Sequence, residues 1–314
     1  MTKETRHRQG MIQALALLIG LLVASTPLRV RAEAHKPVAG GLHQPVAGGL
    51  HQPVAGGLHQ SVALGLHLNH LGLALFSDTA WRTALSDSTH VLLANTYVDV
   101  GATAQLSPAF FHPGAYVEVV PLQLLKLRAS AYRLHYFGTF GSLQEHADLD
   151  FHPDTLERAE EEGKNSRATG KMFMVDAQLR LKVGGLVALF SGRRTWYRFD
   201  DTFVPVYEPS SELLLAWEDR LDTLDALLGY VVSGTANQAG SVMPVLRYEH
   251  QREDHLELRR HALAVGTVYK PETALWSTGD PTIVGLAGLY LSDRYRTNAP
   301  YGALLLRLQF AEGQ

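Results

Sequence analysis

The chain has 314 residues, 46% hydrophobic by count and 19% charged, with a net charge of −3 and no cysteine. Zero cysteine excludes disulfide scaffolds, thiolate metal sites and cysteine nucleophiles, and so small a charge gives no field to gather nucleic acid. With a mean hydropathy of −0.04 the chain is too apolar to be disordered throughout, and its length suits two ordinary domains or one large β domain.

Residues 1–32 have the layout of a cleaved secretory signal. Lys3, Arg6 and Arg8 supply a positive start, and Met11 to Ala24 is an apolar run. Val30 and Ala32 supply small residues before a cleavage point. An uncleaved anchor helix is the alternative, but the run is shorter than the roughly 20 residues a bilayer demands. From His35 an octapeptide repeats: HKPVAGGL, HQPVAGGL twice, then a decayed HQSVALGL ending at Leu66. Evenly spaced imidazoles (His35, His43, His51, His59 and His67) could wrap a metal ion. Each unit, however, offers too little apolar surface to offset the entropy of ordering it. A flexible linker enlarged by duplication, over 33–66, is the expectation, and no metal or other cofactor is assigned.

Residues 67–90 read as a periplasmic segment or a first hairpin. Beyond about residue 90 the pattern has period two. Val98, Val100, Ala102, Ala104 and Leu106 alternate with Tyr97, Asp99, Gly101, Thr103 and Gln105. Phe173, Val175, Ala177, Leu179 and Leu181 alternate with Met172, Met174, Asp176, Gln178 and Arg180. Leu304, Leu306, Leu308 and Phe310 alternate with Ala303, Leu305, Arg307 and Gln309. Successive side chains of a strand point to opposite faces, so these are strands with two unlike faces. They run to ten or more residues, whereas strands of soluble sandwiches run to about five or six. That longer length crosses a bilayer when the strand is tilted.

Aromatics gather toward the strand ends: Tyr132, Tyr136 and Phe137; Trp196, Tyr197 and Phe199; Tyr290 and Tyr295; Tyr301 and Phe310. Such a distribution suits interfacial girdles. With the export signal, residues 91–310 resemble the transmembrane β-barrels of the Gram-negative outer membrane, in architecture and without a motif for any one family. The resemblance implies an all-β, antiparallel up-and-down barrel followed by a short tail, 311–314. It also implies outer-membrane lipid, lipopolysaccharide and the assembly machinery as partners, with no nucleic acid. A soluble periplasmic barrel or sandwich is the alternative. Strands are predicted at 92–106, 114–120, 125–137, 171–183, 186–199, 221–232, 242–252, 259–270, 282–293 and 300–310. A hairpin turning at Asn69–His70 would raise the count from ten to twelve. A switch of apolar register near Ala131 reads as a bulge. With the last strand ending in the periplasm, the long stretches Gly138–Gly170 and Asp200–Arg220 fall outside.

Turning the polar face inward gives the lumen Asp99, Glu118, Lys126, Arg128, Asp176, Arg180, Lys182, Arg247, Glu249 and Arg307, together with Thr103, Gln105, Gln178 and Gln251. Two uses suit the same residues: a charge-neutralised structural interior, or a narrow pore with a mild preference for anions. A barrel hydrolase acting on lipid or peptide at the rim is a third reading. Its candidate groups are His135, His250 and His261 with Ser130 or Ser233, the pair Asp200–Asp201, and the cluster EHADLDFHPD in the longest loop. An adhesion barrel working through 138–170 is a fourth. No P-loop, dinucleotide fingerprint or HExxH is present, and no catalytic residue is assigned.

Overall fold

The computed structural model describes residues 56–68, 72–88, 90–138, 167–200, 205–211, 213–232, 240–271, 280–294 and 296–311. All of them belong to one compact unit, Val38–Gln314. The signal segment, the repeat as far as residue 55 and the loop cluster of 139–166 lie outside the described residues.

Twelve strands close into one antiparallel barrel. They are β1 (Gly57–Leu68), β2 (Gly72–Ala84), β3 (Tyr97–Leu106), β4 (Phe110–Leu122), β5 (Leu125–Tyr136), β6 (Ala168–Val183), β7 (Leu186–Phe199), β10 (Glu218–Tyr230), β11 (Val242–Glu253), β12 (Arg259–Tyr269), β13 (Asp280–Ser292) and β14 (Pro300–Ala311). Each pairs with its sequence neighbour, and β1 closes the wall against β14, from His59 opposite Ala311 to Leu68 opposite Gly302. Two short strands, β8 (Val206–Glu208) and β9 (Leu213–Leu215), form a separate hairpin between β7 and β10.

All ten predicted strands are present, and the further hairpin is β1–β2, with His67 opposite Gly72. β1 begins at Gly57, inside the stretch expected to be linker. The decayed repeat unit explains this. Ser61 stands where the earlier units have proline, restoring a backbone N–H for the ladder. Leu64 stands where they have glycine. β3 starts at Tyr97 and not at 92, because Leu93 and Ala94 donate backbone bonds of 2.8 and 2.9 Å to the His90 carbonyl, forming one helical turn.

The expected bulge near Ala131 is absent. β5 pairs with β6 without interruption from Leu125 opposite Leu179 to Tyr136 opposite Ala168. The register shift lies instead between Val119 and Leu122 on β4, beside the turn. The apolar phase changes in β5 because its end lines a buried cluster, described below.

The connections sort to two ends. Both barrel termini lie at one end, with tight turns such as Gln123–Leu124 and Gly184–Gly185. Gly184 has φ +59°, which a glycine adopts without strain. The opposite, loop end carries the connections after β3, β5, β7, β11 and β13.

The two faces of the wall differ in kind. Outside stands a belt of bare apolar side chains. It includes Val100, Val117, Leu127, Leu179, Leu181, Phe190, Leu224, Leu228, Leu246, Val265, Leu289 and Leu304, and Val265 keeps 61% of its surface exposed. Soluble monomers rarely leave contiguous apolar patches beyond a few hundred Å². Among the described residues no helix is long and apolar enough to cross a membrane, so any crossing by these residues is made by strands.

Candidate functional site

The inner face of the wall is charged. Across the β3–β4–β5–β6–β7 register, Asp99 lies opposite Glu118, Glu118 opposite Arg128, Arg128 opposite Asp176, and Asp176 opposite Arg193. Like charges directly opposite repel, and cations from other positions offset this. Arg82 donates two hydrogen bonds to Asp99, at 2.7 and 2.6 Å. Lys126 bonds Glu118 at 3.1 Å. Arg128, on β5, donates to Asp78, on β2, at 2.9 and 3.0 Å. Two strands separate β5 from β2 in the wall, so that pair meets across the interior. Arg247 engages both Asp225 and Glu249. Arg193 reaches Asp176 at 3.4 Å.

Cations outnumber acids here. Arg82, Lys126, Arg128, Arg180, Lys182, Arg193, Arg247 and Arg307 face Asp78, Asp99, Glu118, Asp176, Asp225 and Glu249. Arg180 donates to the Gln178 amide oxygen at 2.7 Å, while Arg307 forms no ion pair among the described residues. Stacking adds to the network, with Arg82 over the Tyr97 ring at 3.6 Å and Arg128 over Tyr116 at 3.7 Å.

Toward the loop end the interior becomes apolar. Phe110, Tyr132, Leu134, Tyr136, Ala168, Met172, Tyr197, Phe199, Val206, Leu213, Leu215 and Leu221 form one buried cluster. Several of these aromatics fit an outer girdle by sequence. Their parity explains the difference, because Tyr132 and Tyr136 are even-numbered on β5, like the inward Arg128. The same parity puts Trp196 outside with Phe173, their rings 5.5 Å apart, and Tyr197 inside. The 200–220 segment, expected as a solvated outer loop, instead carries the β8–β9 hairpin into this mouth. One face of the hairpin packs on the cluster. Tyr207 and Leu214 on the other pack against Leu258.

Polar clamps hold the hairpin. Glu208, fully buried, accepts hydrogen bonds from the Tyr136 hydroxyl (2.9 Å), the Ser210 hydroxyl (2.7 Å) and the Ser210 and Ser211 backbone N–H groups (3.0 and 2.6 Å). Arg260 bonds Asp293 at 2.6 Å, with their side chains 5% and 2% exposed, and donates to the Ser211 carbonyl at 3.0 Å. Arg296 donates to the Tyr207 hydroxyl at 3.2 Å.

His112 is the exception in this mouth. It is 1% exposed, stacked on Phe110 at 4.3 Å, and neither ring nitrogen has a hydrogen-bond partner. A buried polar group without a partner carries its desolvation penalty uncompensated, so His112→Phe is expected to raise unfolding stability by about 1–2 kcal/mol. Urea titration of vesicle-reconstituted protein measures this, and a loss of stability would contradict it.

The groups suggested for hydrolysis do not converge. His135 on β5 and His250 and His261 on β11 and β12 have outward parity, whereas Ser130 is inward and its hydroxyl accepts from Arg128 at 3.2 Å. His250 and His261 lie opposite each other with ring centroids 4.4 Å apart. Asp200 bonds Arg133 at 2.6 Å. Ser233, Asp201 and the EHADLDFHPD cluster lie outside the described residues. Among the described residues there is no group of three or more His, Asp or Glu side chains placed to hold a metal.

No family model matches the chain, and no curated protein matches it. Solved structures do. The β domain of the Bordetella autotransporter BrkA aligns at 13% identity and TM-score 0.46, over 82% of this chain and 100% of that one. A loop-deletion form of OmpT, an outer membrane protein of Vibrio cholerae, aligns at 6% identity and TM-score 0.37, over 82% and 99%. An anion-selective porin from Comamonas acidovorans aligns at 8% identity and TM-score 0.32, over 82% and 99%. The likeness is one of fold and extends to no activity. The described residues form an all-β, antiparallel, closed twelve-stranded barrel.

Proposed function

We propose that the protein is a structural outer-membrane barrel, exported by its N-terminal signal and closed at rest. The apolar belt faces lipid, the end of the barrel where β1 starts and β14 finishes lies on the periplasmic side, and the loop end faces outward. The observation that carries closure is the apolar plug: twelve buried residues cluster at the loop-end mouth, three of them (Val206, Leu213 and Leu215) from the inserted hairpin. The interior beneath acts as an ion-paired framework that braces the wall, as expected where acids and cations of adjoining strands bond one another. Assembly machinery and outer-membrane lipid are its partners in this reading.

Wild-type protein in planar bilayers is therefore expected to insert without discrete conductance steps. Steady conductance steps at rest would instead make it a narrow pore, for which the surplus of lumen cations predicts anion preference.

The belt has its own test. Val265 lies opposite Leu246 and Ala287 in mid-belt. Val265→Arg is expected to cost about 2–4 kcal/mol of folding stability in lipid vesicles, as a cation at the bilayer midplane does. On a water-facing wall the same change would cost almost nothing.

A further inference from the structure

Resting on the reading that the loop end lies in the outer leaflet, we infer that the outward wall of β6 and β7 holds a binding site for a phosphorylated lipid headgroup. Lys171 and Arg198 are its anion ligands, and Phe173 and Trp196 form its apolar floor. The register brings these residues together. Arg133, Lys171 and Arg198 lie side by side on three successive strands, Arg133 opposite Lys171 and Lys171 opposite Arg198. Like charges set directly opposite one another destabilise a sheet. Arg133 is neutralised by Asp200 at 2.6 Å, but Lys171 and Arg198 form no ion pair among the described residues, even though Glu218 lies opposite Arg198. All three cations are on the outward face, so the acids of the lumen cannot reach them.

The next outward row toward the belt is Phe173 opposite Trp196, with rings 5.5 Å apart, and Trp196 lies opposite Arg220. Arg220 is itself paired, with Asp254 at 3.0 Å and Asp222 at 3.9 Å, which leaves Lys171 and Arg198 as the cations open to a ligand. A groove of about 570 Å³ runs over these positions, lined by Lys171, Phe173, Trp196, Arg198 and Arg220 and, on its β10 side, by the acids Glu218, Asp219 and Asp254. Cations therefore stand one row above aromatics, at the edge of an apolar belt. This order matches an anionic lipid, whose phosphate sits above its acyl chains. Two adjacent phosphates on one headgroup would relieve the repulsion between Lys171 and Arg198 more fully than a single charge. The occupant is accordingly a bisphosphorylated glycolipid of the outer leaflet.

The test uses full-length protein reconstituted in phosphatidylcholine vesicles, with and without diphosphoryl lipid A, and retained lipid counted by mass spectrometry of the purified complex. Diphosphoryl lipid A is expected to be retained and its dephosphorylated form lost. Lys171→Ala with Arg198→Ala should weaken retention roughly thirty-fold, since each cation near a charged surface is worth about 1 kcal/mol. Lys171→Arg with Arg198→Lys should retain it.

Equal retention of the dephosphorylated form, or unchanged retention by the alanine pair, would overturn the proposal. So would displacement of the lipid by inorganic phosphate as effective as displacement by free lipid A, which would mark a site for a free anion. Heat-modifiable gel migration is read on the same samples. Failure of the wild type to insert overturns the membrane reading, whereas insertion without lipid A selectivity overturns this site alone.

Discussion

Deleting residues 206–215, with a short Gly-Ser bridge in their place, is expected to turn a silent barrel into a conducting one. The hairpin contributes Val206, Leu213 and Leu215 to the buried cluster, and Tyr207 and Leu214 on its second face. Without it the loop-end mouth loses the wedge between the β5–β7 wall and Leu258. The barrel itself should survive. The β7–β10 register runs from Arg198 opposite Glu218 to Leu186 opposite Tyr230 and uses no hairpin residue.

The path beneath is lined by charged side chains, of which Arg193 is half exposed, so water already reaches part of it. Single-channel recording should show discrete steps for the deletion and none for the wild type. The extra inward cations predict that these steps favour anions, and Arg180→Glu with Arg307→Glu should lower or reverse that preference. A deletion variant that inserts, shows heat-modifiable migration and still conducts nothing would mean that the lumen itself is blocked.

Breaking the Arg260–Asp293 pair is expected to have the largest effect of any single side-chain change. Both groups are almost fully buried, and Arg260 also donates to the Ser211 carbonyl of the hairpin. Removing one partner leaves the other buried without its opposite charge, which typically costs about 3–5 kcal/mol. Arg260→Ala exposes that penalty at Asp293, whose second oxygen accepts the backbone N–H of Arg296 at 2.9 Å. Replacing both with apolar residues of similar size, Arg260→Met with Asp293→Leu, should recover most of the loss, because the desolvation cost of both charges vanishes together. Unfolding titrations in detergent measure each variant. Equal losses for single and double variants would show that the pair acts through shape and not through charge.

Much of the barrel was legible because period two is a strong signal over ten or more residues. Parity alone gives the expectation that Asp99, Glu118, Lys126, Arg128, Asp176, Arg180, Lys182, Arg247, Glu249 and Arg307 point inward, once one face is taken as apolar. β1 and β2 were harder to read. Leu64 and Leu66 share a face, but the repeat upstream dilutes the pattern with Gly and Pro, so the segment resembled linker up to its last unit.

The plug was missed for a physical reason. A belt-facing strand and a mouth-facing strand both alternate, and composition cannot say where along a strand the apolar face changes sides. In β5 that change comes between Ala129 and Tyr132. The signal was nonetheless present, since Tyr132, Leu134 and Tyr136 share parity with Arg128. Leu213–Ala216 is likewise too apolar a run for a solvated loop. The partners of Glu208 and Arg260 could not be read at all, since Tyr136 meets Glu208 only through insertion of the hairpin and Asp293 meets Arg260 past a register shift in the β12–β13 pairing.

In this reading the outward belt sits in lipid while the charged face and the loop-end rim meet water. The absence of cysteine makes this directly measurable, because a single introduced thiol has no competitor. Val265→Cys in mid-belt and Lys171→Cys at the rim can each be reacted with a membrane-impermeant maleimide in vesicles and again after unfolding in urea. The thiol at 171 is expected to label readily in vesicles, whereas the thiol at 265, at a position 61% exposed in the isolated chain, should label only after unfolding. Fast labelling at 265 in the folded protein would contradict this reading, since a bare thiol in water has nothing to shield it.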